Sequence, residues 1–395
     1  MPWTELTPML QRRLFIERVV HGTCDFHMLC AQFGISDKTG YKWVARFAEG
    51  GPAGLADRSH RRHTFAHQVS EDVAVAVLAC RRQHPTWGPR KLRVVLATHE
   101  PAIAWPAAST MGELLRRAGL TARRRRRVRV PATPGAPAIP AAVPNALWCA
   151  DFKGQYRLST GADCYPLTIT DHASRFLFAC TGLASTQTRP AQRVFRRVFK
   201  TYGLPAAIRT DNGVPFASTA IAGLSPLSVW WIRLGIRPER IEPGCPQQNG
   251  RHERMHKTLK AETMRPATAS FRTQQARFDA FRAEYNTTRP HEALGQEPPS
   301  RHHTRSTRPY PSHLAPLVYP AHATVRKIGT NGCFRWHSHM VFVTHTLAHQ
   351  PIALEEIDDD FWTLSFGPLL LGYFDTTTLH VTAKTAWRAS PIIPV

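Results

Sequence analysis

The chain has 395 residues, and 51 Lys and Arg against 28 Asp and Glu give it a formal charge of +23. At 43% hydrophobic and 20% charged it is composed like a folded protein of two or three domains, not a disordered chain. No window approaches the ~18 consecutive apolar residues of a membrane span. The N-terminus lacks a secretory apolar core, and the eight cysteines form no CxxC pair. Disulfide scaffolds, standard zinc fingers and membrane spans are thereby excluded, and the expected protein is cytoplasmic with a polyanionic partner.

Residues 1–145 hold 22 Lys and Arg against 10 Asp and Glu, residues 146–300 hold 21 against 12, and residues 301–395 hold 8 against 6. The positive field is therefore strongest toward the N-terminus. Counterion release converts such a surplus into sequence-independent affinity for a phosphate backbone.

The first 65 residues read as short helices. A helix over 26–33, a turn at Gly34-Ile35 and a helix from Ser36 to about Phe47 make a helix-turn-helix pattern, with Ser36 as the N-cap. Tyr41, Val44 and Phe47 are expected on its buried face, with Lys38, Thr39, Lys42 and Arg46 turned to DNA. A second helical DNA-binding unit over 66–130 comprises helices at 69–83 and 89–96 and a last one capped by Ser109. Arg90 and Lys91 are its expected DNA contacts, together with the run Arg123, Arg124, Arg125, Arg126 and Arg127. Five prolines between 131 and 144 then mark a stiff linker.

Beyond the linker the texture is α/β. Strands are expected over 147–152, 164–171, 176–182 and 206–210, with helices over 190–202, 249–262 and 270–285. From about 324 short apolar runs between Gly-containing turns predict a small all-β module, so that the core spans 145–300 and the module 320–395.

Three acids stand where a strand end or helix start exposes them: Asp151 after LWCA, Asp211 after AAIRT, and Glu253 in the first turn of a helix. Carboxylates at strand ends lie where ligands of α/β sheets gather, and three together suit hard divalent cations such as Mg²⁺. Two such ions ~3.5–4 Å apart serve phosphoryl transfer. Lys257 and Lys260, four and seven residues beyond Glu253, share its helix face. Asp171 in TDHASR is expected to bond its own turn, and the acids at 355–360 to form a solvated turn.

WCADFKG, RTDNGVPF and PGCPQQNGRHERMHKTLKAE resemble the three-carboxylate motifs of DDE transposases and retroviral integrases, and YNTTRPHEALGQEPP resembles the segment closing the insertion-sequence version of that core. The ER-H-TLK form, with ISDKTGYKWVARF and HPTWGPRKL upstream, is similar to the IS481 family of transposases. That resemblance implies helix-turn-helix units, a ribonuclease H-like α/β core and a C-terminal β module. It implies a transposase that binds terminal inverted repeats and performs 3′-end cleavage and strand transfer. Asp151, Asp211 and Glu253 would be the catalytic and metal-holding residues for two Mg²⁺ ions, with Mn²⁺ able to substitute. Asn212, Gly213, Asn249 and His256 would support the site, and Lys257 and Lys260 would hold the element end. A homodimer or higher oligomer on paired ends, near the bacterial nucleoid, completes the expectation. The interval from Asp211 to Glu253 exceeds the family's usual spacing, and a loop insertion at 223–228 is expected to absorb it. Two other classes stay in view: a DNA-binding repressor with a non-catalytic core, and a ribonuclease H-like nuclease.

Overall fold

Residues 1–69 form one unit and residues 70–395 another, and the computed structural model describes residues 7–22, 24–58, 69–121, 143–242 and 246–383. Arg123, Arg124, Arg125, Arg126 and Arg127, with all but the last two residues of the expected linker, lie outside the described residues.

The first unit contains α1 (Pro8–His21), α2 (Phe26–Gln32) and α3 (Asp37–Gly50). The Ser36 hydroxyl accepts the Thr39 amide hydrogen, satisfying one of the free donors of the first turn of α3. Helix α3 packs through Gly40, Trp43, Val44 and Phe47 onto Phe15, Leu29 and Cys30. Tyr41, expected inside, is 62% exposed and stacks on Phe26. Spacings of three, four and seven from Gly40 draw the larger Trp43 inward, and that stripe leaves Tyr41 on the rim. Any side chain at Gly40 would collide with buried neighbours, since an added Cβ would stand 2.6 Å from the Cys30 sulfur.

The second unit begins with α4 (Glu71–Gln83), α5 (Pro89–His99) and α6 (Ala108–Arg117), gathered on Val77, Trp87, Leu92, Met111 and Leu115. Helix α6 starts a residue before Ser109, so Ala107 occupies the cap position and Ser109 lies inside the first turn.

A mixed sheet follows. Its strands are β1 (Leu147–Phe152), β2 (Tyr156–Arg157), β3 (Asp163–Asp171), β4 (Leu177–Leu183), β5 (Ala207–Thr210) and β6 (Arg237–Arg240). Between and after them run α7 (Thr188–Tyr202), α8 (Pro226–Arg233), α9 (Gly250–Thr263) and α10 (Phe271–Thr287). Strand β1 is central, antiparallel to β3 and parallel to β5, which in turn runs parallel to β6. Side chains alternate across the sheet. Trp148, Ala150 and Ile169 face α7 and α8, packing on Val194, Phe195, Phe199 and Trp231. Leu177 and Cys180 face α9 and α10, packing on Met255, Leu259 and Phe278.

The last part holds β7 (Thr324–Lys327), β8 (Cys333–Trp336), β9 (His339–Phe342), β10 (Pro351–Asp358), β11 (Phe361–Phe366), β12 (Leu369–Asp375) and β13 (His380–Ala383). Five of these form an antiparallel sheet ordered β13-β12-β11-β10-β7, and β8 and β9 form a hairpin. Its apolar core includes Leu224, Val229 and Ile232, so the β module shares a core with α8. Of the segment 223–228, expected as an accommodating loop, Gly223 to Ser225 precede that helix and Pro226 to Ser228 form its first turn. Ser225 and Ser228 cap each other's backbone there in a reciprocal box.

Candidate functional site

Strands β1 and β5 run parallel with Cys149 opposite Arg209. Two residues on, the same register sets Asp151 opposite Asp211, beyond the end of β5, and neighbouring strands are only ~4.8 Å apart. Leu147 to Ala150 are buried and anchor the strand, whereas the Asp151 side chain reaches the edge of the sheet with 18% exposure. The backbone amide of Gly213 donates to Asp211 Oδ1 at 3.2 Å, and Asn212 Nδ2 donates to the Ile241 carbonyl at 3.0 Å. Asn212 and Gly213 therefore fix the turn that carries Asp211.

Helix α9 supplies the third acid. Glu253, Lys257 and Lys260 occupy its exposed face, and His252, Met255, His256 and Leu259 its buried one. The two histidines bolt the helix to β3. Thr168 Oγ1 donates to the Asp151 carbonyl at 3.1 Å, which uses its only proton. It must then accept from both imidazoles, and His252 Nε2 and His256 Nε2 each lie 2.7 Å away. Both rings thus carry their proton on Nε2. His252 Nδ1 accepts from Thr170 Oγ1 at 3.1 Å. Burial lowers the pKa of His252 to about 3 and, with the neighbouring charges of His252 and Lys153, that of His256 to about 2, so both are neutral at ordinary pH.

One consequence is electrostatic. His256 Nδ1 is left with a bare lone pair 3.6 Å from Asp151 Oδ2, so when Asp151 is ionised the contact is two acceptors facing each other, not an ion pair. The Asp151 carboxyl is pushed up to about 7, first by burial, then by the charge of Asp211, with Glu253 adding to it. After burial, the pressure on Asp151 comes from two other acids of the motifs, Asp211 and then Glu253. Asp151, His252 and His256 also place three potential ligand atoms within 4.8 Å of one another. Both nitrogens of His252 are committed to threonines, however, which leaves only the Asp151 carboxylate and His256 Nδ1 free to ligate. Crowded carboxylates with one neutral nitrogen form a donor set that a hard divalent cation fits, because its charge removes the repulsion.

Other expected residues have other partners. Asp171 is 1% exposed, and its carboxylate accepts from the amides of Asn145 and Ser174 and the Ser174 hydroxyl. Asn249 is buried at the start of α9, with no side-chain capping bond. Lys38 and Lys42 are exposed on α3, while Thr39 is drawn into the Ser36 cap. Lys42 and Arg46 flank Trp43, at 4.7 and 5.0 Å from its ring.

Arg90 and Lys91, expected on DNA, both have acidic neighbours in the core. Arg90 pairs with Glu292 at 2.7 Å, and Lys91 is enclosed beside Arg289, Glu262 and Glu292, where burial lowers its pKa to about 8. His84 meets Glu284 at 3.1 Å, Thr86 bonds Glu262, and Arg289 binds Glu262 at 2.7 Å beside the Trp87 ring. The HPTWGPRKL segment is thus the joint between the second helical unit and the core. Of the two cations expected on DNA, Arg90 stays exposed beside Glu292 while Lys91 is partly enclosed.

Thr168, Thr170 and His252 were not anticipated. Their signal was present as threonines alternating on a strand and histidines four apart on a helix.

Two models of the integrase core domain match residues 141–246 and 234–299. A helix-turn-helix domain model matches 12–63 and a homeodomain-like domain model 39–115. The insertion element IS407 31.7 kDa protein of Burkholderia multivorans is 31% identical over 209 residues, which cover 52% of this chain and 73% of that protein. The insertion element IS476 39.2 kDa protein of Xanthomonas euvesicatoria is 25% identical over 250 residues, covering 63% of this chain and 69% of that one. Among solved structures, a chain of the simian T-cell lymphotropic virus intasome aligns with a TM-score of 0.37 and 16% identity, covering 75% of this chain and 97% of that one.

Proposed function

Given that the chain belongs to the transposase and integrase superfamily of insertion elements, we propose that it cleaves the 3′ ends of an insertion element and joins them to target DNA, in the manner of the IS481 family. The observation that carries this reading is the β1/β5 register, which sets Asp151 opposite Asp211 at the ends of two central strands, with the Asp151 carboxyl held high first by burial and then by the charges of Asp211 and Glu253.

Asp151, Asp211 and Glu253 would hold two Mg²⁺ ions, with Mn²⁺ as a substitute, and His256 Nδ1 faces the same space. Such ions supply Lewis acidity at the phosphorus and at the attacking oxygen. Helix α9 presents Lys257 and Lys260 beside Glu253, so phosphates of the element end would be gripped next to the carboxylates. Gly213 and Asn212 hold Asp211 in place.

Water would form a new P–O bond as the P–O3′ bond breaks, leaving a free 3′-hydroxyl on the element and a 5′-phosphate on the flank. That hydroxyl would attack a target phosphodiester, forming one P–O bond as another breaks, so no external energy source is needed. Lys38, Lys42 and Arg46 on α3 would read the terminal repeats. Two protomers would pair two ends, in a bacterial cytoplasm at the nucleoid.

The test uses the purified protein, Mg²⁺ and a labelled duplex carrying the element's own end. Wild type should cleave and join, while Glu253→Gln binds the duplex and does neither. Binding without chemistry in both would favour a repressor with an inert core. Cleavage without joining would favour a nuclease.

A further inference from the structure

Helix α7 carries four arginines and one lysine in fifteen residues and no acid. Arg189, Arg193, Arg196, Arg197 and Lys200 are all exposed. At about 100° per residue they fall within an arc of about 100°, directly opposite the buried stripe of Ala191, Val194, Phe195, Val198 and Phe199. None has an acidic partner among the described residues. The one side-chain bond in the set runs from Arg197 to the Thr181 hydroxyl at 3.1 Å. Arg305 extends the stripe, donating to the Lys200 carbonyl at 3.5 Å and lining an open groove with Arg196, Lys200 and Tyr310.

The position of this stripe is as informative as its charge. Helix α7 covers the sheet face on which Trp148 and Ala150 lie. Asp151 is one residue out of phase with them and opens toward α9, on the other face. DNA gripped by Lys257 and Lys260 therefore runs on one side of the sheet, and the α7 cations look out from the other.

We infer that the exposed face of α7 is a second DNA-binding surface, which holds the sugar-phosphate backbone of a duplex distinct from the strand at the carboxylates. The inference rests on the DNA-processing reading above and adds a second tract to it. From Arg189 to Lys200 the helix rises about 16 Å. A duplex presents one phosphate per about 1.7 Å of axis, so about ten phosphates span that length and a stripe of five cations fits the half that faces it. A second copy of the same face is a poor occupant, since like charges would oppose one another. An anionic bilayer is also disfavoured. Membrane-surface helices insert apolar side chains, and no large hydrophobic residue between positions 144 and 213 is exposed.

The test is the salt dependence of binding to a random-sequence duplex by the full chain. It compares wild type, a variant with Arg189, Arg193, Arg196 and Lys200 all changed to Gln, and one with the three arginines changed to Lys. Each lost phosphate contact should lower the slope of log K against log salt by ~0.9, so the glutamine variant should lose about 2 to 4 units of slope and the lysine variant almost none. A matched thermal midpoint for the glutamine variant excludes unfolding as the cause. An unchanged slope overturns the inference, as does four-residue-dependent sedimentation with phosphatidylserine vesicles that is not matched by a change in DNA binding. End cleavage and joining are scored in parallel. Wild-type chemistry with an unchanged slope leaves the transposase reading standing and removes α7. A reduced slope without wild-type chemistry does the reverse.

Discussion

Asp151 is where burial and charge meet. Its folded-state pKa, raised to about 7 by burial, Asp211 and Glu253, stands well above the ~3.9 of an unfolded aspartate. Between those values the folded chain binds more protons than the unfolded one, so stability falls as pH rises from about 4 through 7. The loss at pH 8 approaches ~4 kcal/mol as an order of magnitude. Cation-free protein should therefore melt at a lower temperature at pH 8 than at pH 6. Asp151→Asn should flatten that dependence, and Mg²⁺ should raise the midpoint of the wild type more at pH 8 than at pH 6. Identical pH profiles for wild type and Asp151→Asn would contradict this assignment. Thr168 offers a second check, because one hydroxyl serves the Asp151 carbonyl and two histidines. Thr168→Val leaves two buried N–H groups without an acceptor and should cost at least ~2 kcal/mol in urea unfolding, whereas Thr168→Ser should cost much less.

At the scale of elements, the strands and helices that carry the acids follow from local pattern. Leu147 to Ala150 form an apolar run ending in an acid, and β1 spans Leu147–Phe152. Ser36, expected as a cap, caps α3, whereas Ser109, expected as another, lies inside α6. What sequence cannot give is partnership between distant elements. Tyr41 and Trp43 fit a helix equally well, and only packing against α1 and α2 decides which is buried. The short strand β6 and helix α8 escaped notice because RPER and PLSVWWIR carry neither clear alternation nor a polar face. HPTWGPRKL reads as basic surface until Glu262, Glu284 and Glu292, almost 200 residues on, come to meet it. Within that joint the Arg289 and Glu262 side chains are only 7% and 19% exposed. Arg289→Ala strands a buried carboxylate and should cost ~3 kcal/mol or more. Arg90 and Glu292 are 72% and 73% exposed, so Arg90→Ala should barely shift the unfolding midpoint. Equal effects of the two substitutions in urea titrations would contradict the assigned roles.

Over the whole molecule, the basic surplus falls from N-terminus to C-terminus, and the β module shares a core with α8 instead of standing apart. Core and module thus share apolar packing, and the three acids sit on β1, just after β5 and on α9. The elements that carry them were legible because each acid sits in its own motif. The histidine and threonine scaffold beneath them was not, because it depends on the register between β3 and α9. The central claim is that Asp151, Asp211 and Glu253 form one site, and that Glu242, an exposed acid after β6 whose choice as third ligand would break the resemblance carried by PQQNG, lies outside it. The most direct measurement is the yield of joined product from an element-end duplex and a supercoiled plasmid in Mg²⁺, for Asp151→Asn, Asp211→Asn, Glu253→Gln and Glu242→Gln beside the wild type. The account predicts that the first three fall at least ~10³-fold, the order expected when a principal electrostatic element of a site is removed, and that Glu242→Gln joins as well as the wild type. Wild-type yield from any of the first three, or loss of joining in Glu242→Gln alone, would contradict it.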